Sequence, residues 1–280
     1  MTAEGGAVLA KTDNAEIFAA NRASGHVALA VAAHGGVTRR ARVHEDGSLR
    51  VRFPNAADGA LEAVIVNTGG GMTGGDRFGI DLSVGGGARL TAGTAAAEKI
   101  YRSTGPDAEM TVKLSVGEGG RLAWLPQETI LFDGARLARR IDVDLGAGAS
   151  LVMAEAVVFG RTAMGETVRD GAFADRWRLS REGRLVFAES VRLDEGVADK
   201  LKAPAAAAGG VALATVLLAP ADEAAIAAVR ALDFMGEAGI SAWNGIAVAR
   251  LVARDGAALR HDLIAVLSAL GTSVPRLWLQ

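Results

Sequence analysis

Three stretches of the chain share one form: Val84-Gly85-Gly86-Gly87-Ala88-Arg89-Leu90, Val116-Gly117-Glu118-Gly119-Gly120-Arg121-Leu122 and Leu145-Gly146-Ala147-Gly148-Ala149-Ser150-Leu151. Each reads apolar, Gly, any residue, Gly, two residues, Leu. Arg181-Glu182-Gly183-Arg184-Leu185 is a shortened fourth copy. Ahead of each copy, residues 80–84, 110–116, 141–145 and 177–180 alternate apolar and polar, the period-two pattern of a strand. A strand–turn–strand unit recurring about every thirty residues points to stacked units, each burying its apolar face on the next. The expected fold is mainly β: a stacked β-helix-like (solenoid-like) architecture over residues 25–200, joined in one domain to an α+β C-terminal part over 205–280. Residues 1–24 show no periodicity and are expected to form a flexible arm.

The flanking segments fit this plan. Alternating runs at 26–31, 37–43 and 49–53 are separated by Gly35-Gly36 and Asp46-Gly47, which are turn signals between short strands. Residues 54–59 read as a loop. Late in the chain, 211–218 and 245–254 read as strands and two helices are expected. The first starts at Pro220-Ala221-Asp222-Glu223 and ends near Gly236. The second is capped by Asp255, carries one apolar stripe of Leu259, Leu263, Val266, Leu267 and Leu270, and closes at Gly271.

Between residues 63 and 76 an apolar run breaks into glycines: Val64-Ile65-Val66-Asn67-Thr68-Gly69-Gly70-Gly71-Met72-Thr73-Gly74-Gly75-Asp76. Glycine at this density serves backbone that must adopt positive φ or be approached closely. Gly69, Gly71 and Gly74 match G-x-G-x-x-G. That fingerprint holds a dinucleotide only when a helix follows, and Arg77-Phe78-Gly79-Ile80-Asp81-Leu82 alternates as a strand. The loop joins strand to strand, which argues against a dinucleotide-binding oxidoreductase. No Gly-Lys-Ser/Thr is present, so it is not a P-loop either.

With 280 residues the chain can bury a sizeable core. A net charge of −2 supplies no electrostatic footprint for nucleic acid or an anionic membrane. Zero cysteines remove disulfides and thiolate metal ligands and fit a reducing, cytoplasmic setting. The N-terminus lacks a signal-peptide pattern, and the densely apolar part of the uncharged stretch over residues 203–221 is too short to span a bilayer. His26, His34, His44 and His261 show no metal-site spacing, and no G-x-S-x-G elbow is present.

Acidic residues keep a common parity relative to the repeat leucines. Glu98 follows Leu90, Glu128 follows Leu122, Glu155 follows Leu151 and Glu189 follows Leu185, always at an even offset. Even spacing on a strand points side chains to one face, so stacked repeats would line one wall with Glu128, Glu155 and Glu189. Met153, Val157, Phe187 and Val191 share that parity. A carboxylate among buried apolar groups must be paired, protonated or metal-bound. The plainer reading pairs them with arginines such as Arg161, Arg178 or Arg192, and the alternative active reading is a β-solenoid carbohydrate-active enzyme with paired carboxylates. Any metal here would meet oxygen ligands, which hold a borderline divalent ion weakly.

Five blocks, in order, carry a resemblance: the Asn67 to Asp76 loop; Ile100-Tyr101-Arg102-Ser103; Trp124-Leu125-Pro126-Gln127-Glu128-Thr129-Ile130-Leu131-Phe132-Asp133-Gly134-Ala135; Phe159-Gly160-Arg161; and Pro275-Arg276-Leu277-Trp278. From about residue 25 to its end the chain resembles the urease accessory protein family UreD, called UreH in some systems. The resemblance implies a β-rich, helically stacked fold with two helices and no enzymatic activity. It also implies a complex with UreF and the GTPase UreG on apo-urease, within which nickel passes through the UreD interior without being tightly bound. Carried over onto this chain, it assigns Asp76, Glu128 and Asp133, and further Glu155 and Glu189, to a transient nickel path beside the Gly70, Gly71, Gly74 and Gly75 loop. The family commonly has Pro-Pro where this chain has Thr68-Gly69, so a more flexible loop is expected.

Overall fold

A computed structural model describes residues 21–54 and 60–279. Most of the expected N-terminal arm and of the 54–59 loop lies outside these. In chain order the strands are β1 (Ser24–His34), β2 (Val37–Gly47), β3 (Leu49–Arg52), β4 (Leu61–Asn67), β5 (Arg77–Val84), β6 (Arg89–Thr94), β7 (Glu98–Ile100), β8 (Ala108–Val116) and β9 (Arg121–Trp124). They continue with β10 (Thr129–Leu131), β11 (Arg136–Leu145), β12 (Ser150–Phe159), β13 (Ala172–Arg181) and β14 (Arg184–Asp194). A short helix α1 (Val197–Lys202) then leads to β15 (Ala212–Ala219), α2 (Glu223–Arg230), β16 (Glu237–Trp243), β17 (Ile246–Ala253) and α3 (Gly256–Ala269).

The repeat is the fold. β5, β8, β11 and β13 run parallel in one sheet, ordered β14-β13-β11-β8-β5-β1-β2. β6, β9 and β12 run parallel in a second, ordered β16-β17-β15-β12-β9-β6-β4-β3, with the short β7 and β10 continuing the stack beside the far half of β12. Each glycine turn carries the chain from the first sheet to the second, and equivalent positions stack in register. Val84, Val116 and Leu145 align on one sheet, and Leu90, Leu122 and Leu151 on the other. The apolar parity of both sheets points inward, giving one core that includes Leu82, Leu114, Ile141, Leu122 and Leu151.

The fourth copy behaves differently. β13 and β14 pair antiparallel within the first sheet, turning on Glu182 (φ +50°) and Gly183 (φ +76°). Four residues between strands are enough to step between sheets about 10 Å apart, whereas two left-handed residues only reverse the chain.

α2 and α3 pack outside the second sheet, whereas Val197 and Leu201 of α1 join the inner core. Leu259, Leu263, Val266 and Leu267 of α3 are buried over β15 and β17, in one cluster with Ala214, Val216, Ala249 and Leu251, while Leu270 is only partly covered. Asp255 caps α3 by accepting from Ala258 N at 2.8 Å, and Asp222 caps α2 by accepting from Ala225 N at 2.9 Å. α2 ends at Arg230, short of the expected Gly236. Buried Asp262 takes the amides of Met235 and Gly236, at 2.9 Å each, and draws the chain into β16. That strand is exposed on both faces and has no alternation to read.

Candidate functional site

Strand alternation buries charge at two places the glutamate count did not reach. On β11, Arg139 occupies the inward parity of Leu137, Ile141 and Val143; on β13, Asp175 occupies that of Phe173 and Trp177. The two are direct partners on adjacent parallel strands. Arg139 donates Nε and Nη2 to Asp175 at 3.0 and 2.5 Å, and Nη1 to Glu155, which reaches over from β12 in the opposite sheet. Trp124 of β9 donates its indole N–H to the other Glu155 oxygen at 2.7 Å. All three charged side chains are buried. Burial pushes the Glu155 carboxyl upward against the opposing pull of Arg139. The parity rule that singled out Glu155, applied to every charged residue, finds Arg139 and Asp175 as well.

A cavity lies on either side of this cluster. One, of about 410 Å³, is lined by Arg139, Glu155, Asp175, Thr215, Glu189 and Arg250 among others. The second, of about 370 Å³, is lined by Asn67, Gly70, Gly71, Glu98, Lys99 and Trp124 among others, and again by Arg139 and Glu155. Among the described residues, those two side chains alone are common to both linings, so the cavities abut at the ion pair. At the outer end of the first, Glu189 of β14 accepts both Arg250 guanidinium N–H groups, at 2.6 and 2.8 Å, bridging the two sheets where Arg250 is about half exposed. At the outer end of the second stands the glycine loop.

Asn67 ties that loop, accepting from Gly69 N at 2.8 Å and donating to Gly71 O at 3.2 Å and Glu98 Oε1 at 2.8 Å. The Tyr101 hydroxyl donates to Gly70 O at 3.1 Å. These bonds stand where the resemblance led to an expectation of looseness. Burial pushes the Glu98 carboxyl from 4.5 up to about 7, against the lowering effects of Asn67 and Lys99. Over that window the folded chain holds a proton that the unfolded chain has lost, so this group lowers stability as pH rises from 4.5 through about 7. Glu98→Gln is therefore expected to melt higher than the wild type above pH 7 and to lose that advantage below 4.5. Thermal melts across the range check this, and a pH-independent difference would refute it.

The remaining sequence-predicted residues lie elsewhere. Glu128 is on the helix side of the second sheet, because the chain leaves strand geometry after Trp124 at Leu125-Pro126 and the even count no longer applies. It accepts Arg260 Nε and Nη2 of α3 at 2.8 and 2.5 Å. Gln127 accepts from the same guanidinium at 2.6 Å and donates to Leu277 O at 2.9 Å, and Trp278 donates to Leu125 O at 3.2 Å. The Leu125–Glu128 and Pro275–Trp278 blocks thus form one clamp on α3. Asp133 accepts from Arg169 N and Asp170 N at 2.7 and 3.2 Å. Arg161 pairs with Glu166 and Arg192 with Asp194, not with the repeat glutamates.

Asp76 is buried and accepts from Ala23 N and Thr73 N, each at 2.8 Å. Asp76→Ala strands two amides and is expected to cost about 2–3 kcal/mol. A denaturant midpoint matching the wild type would contradict that role. Gly70 and Gly71 line the second cavity, whereas Gly74 and Gly75 pack on the neighbouring turn. Among the described residues, no three His, Asp or Glu side chains converge to hold an ion, and no helix is long and apolar enough to cross a membrane.

The fold and site define a solenoid-like β protein whose interior holds two cavities meeting at a buried ion-pair cluster. The family model for the UreD urease accessory protein matches residues 23–279. Over 266 residues the chain is 60% identical to the urease accessory protein UreD of Rhodopseudomonas palustris strain HaA2, covering 94% of this chain and 95% of the relative. It is 57% identical over 265 residues to the UreD of Bradyrhizobium diazoefficiens, covering 94% and 96%. The chain belongs to the UreD urease accessory protein family.

Proposed function

We propose that this chain is a non-catalytic chaperone of urease maturation in the cytoplasm, acting in a complex with UreF and UreG, and that nickel bound for apo-urease passes through its interior. The observation that carries the reading is the pair of cavities abutting at Arg139 and Glu155, one ending at the glycine loop and the other at Glu189 and Arg250. Two carboxylates against one guanidinium leave an excess formal negative charge at the junction, which draws a cation inward from water. Glu98, Glu155 and Glu189 supply single oxygen ligands along the way. Such ligands bind a borderline divalent ion without the grip of thiolates or imidazoles. In this reading Asp76, Glu128 and Asp133 serve the path indirectly, by holding the loop, the α3 clamp and the turn before β13.

The test is urease activation in cells expressing the urease subunits and the other accessory proteins, with this chain present, omitted, or carrying Glu189→Ala. Omission is expected to leave purified urease without nickel. Glu189→Ala is expected to lower nickel content several-fold while UreF, UreG and urease still co-purify with the chain. Full nickel loading in the absence of the chain would end the proposal.

A further inference from the structure

We infer that Arg139 is the gate of the interior path: its guanidinium is the resident cation of the junction, and a divalent ion crosses by displacing it from Glu155 while Asp175 keeps hold of it. The inference rests on the passage reading above and adds to it the element that opens and closes. Arg139 and Glu155 face both cavities, whereas Asp175 faces only the one ending at Arg250 and Trp124 only the one ending at the glycine loop. A species moving between the cavities therefore has to part Arg139 from Glu155.

The bonds divide unequally in a way that permits this. Asp175 receives two N–H groups, Nε at 3.0 Å and Nη2 at 2.5 Å, while Glu155 receives Nη1 alone. A bidentate carboxylate pair outlasts a single contact, so the contact with Glu155 is the one that yields. After it yields, Glu155 Oε1 still accepts from the Trp124 indole at 2.7 Å, which keeps the carboxylate aimed and leaves Oε2 open to the ion. The freed arm of the guanidinium turns into the cavity of about 410 Å³ on the Asp175 side, where the Phe173 ring already lies 5.9 Å from its Cζ. A small divalent ion carries twice the charge of the guanidinium at shorter range, so it competes for Glu155 where a monovalent ion does not. Once the ion moves on, Arg139 returns and closes the junction, and no permanent metal site is left behind.

The test uses the full-length chain, purified for nickel equilibrium dialysis and co-expressed with urease and the accessory proteins for nickel loading. Arg139→Met removes the resident cation and leaves Glu155 and Asp175 facing each other. This variant is expected to retain nickel through dialysis, to lose that retention in Arg139→Met/Glu155→Gln, and to lower urease loading several-fold. Arg139→Lys keeps the charge and gives up the fork, so it is expected to load urease at limiting nickel at least as well as the wild type. An arginine that only holds the sheets together would instead lower loading in both variants in step with their melting temperatures, with no nickel retained, and that result overturns the inference. Should Arg139→Met fail to fold, Arg139→Lys decides: poorer loading than wild type at every nickel concentration, in a complex that assembles normally, overturns the gate. A blocking variant of the cavity, Thr215→Trp, separates the two levels. Full loading with Thr215→Trp removes the passage reading itself, whereas blocked loading together with no nickel retained by a folded Arg139→Met removes the gate alone.

Discussion

Thr215→Trp is expected to reduce nickel loading of urease to below about a tenth of wild type, the change that a barrier increment of about 1.4 kcal/mol produces, while the chain still assembles with its partners. Thr215 stands on β15 directly between Glu155 on β12 and Arg250 on β17, and it lines the cavity of about 410 Å³. An indole there fills the space between the junction and the Glu189–Arg250 end. The surrounding wall, with Val157, Phe173, Leu213 and Val252, is apolar enough to receive the ring. Thr215→Ser, which leaves the space open, is expected to load normally. The check is nickel per urease in material purified from co-expressing cells, with recovery of the complex measured alongside. Normal loading in Thr215→Trp would mean that nickel does not travel between these sheets.

Gly74→Ala is expected to destabilise the chain by about 3 kcal/mol or more, lowering the melting temperature by about 6–12 °C. A Cβ at Gly74 would sit 1.9 Å from Ser103 Oγ and 2.2 Å from Pro106 O. The hydroxyl can rotate away, but the backbone carbonyl cannot. The strain falls where Gly75 N donates to Asp107 O and Glu109 N to Asp76 O, the bonds that start the parallel pairing of β5 with β8. Gly70→Ala is the contrast. Its φ is +76° and nothing lies within 4 Å of the added carbon, so only the left-handed conformation opposes it, at about 1–2 kcal/mol. Equal melting temperatures for the two variants would show that close packing at Gly74 is not what the loop requires.

Much of the architecture was legible because it is periodic. Alternation placed β5, β8, β11 and β13, the spaced glycines placed the crossings between sheets, and Asp255 with its apolar stripe placed α3 almost to the residue. The site was legible only in part. Parity found Glu155 and Glu189, which share a cavity, but it failed for Glu128, where Pro126 ends the strand over which counting is valid. Glu128, assigned to the nickel path by the resemblance, belongs in the fold to a clamp with Gln127 and Trp278 between segments 150 residues apart in sequence. β16 was missed because a strand exposed on both faces leaves no hydrophobic period.

The sequence by itself determined the strand repeat, the inward parity of the apolar side chains along the repeat strands and the family, because these depend on local backbone geometry and on short-range pattern. Only the tertiary structure decided which arginine meets which carboxylate: Arg139 with Glu155 and Asp175, Arg250 with Glu189, Arg260 with Glu128. It also decided that the two cavities meet at the first of these clusters. The physical reason is that an ion pair is specified by distance between strands and sheets, and no period along the chain encodes that distance until the repeats have stacked.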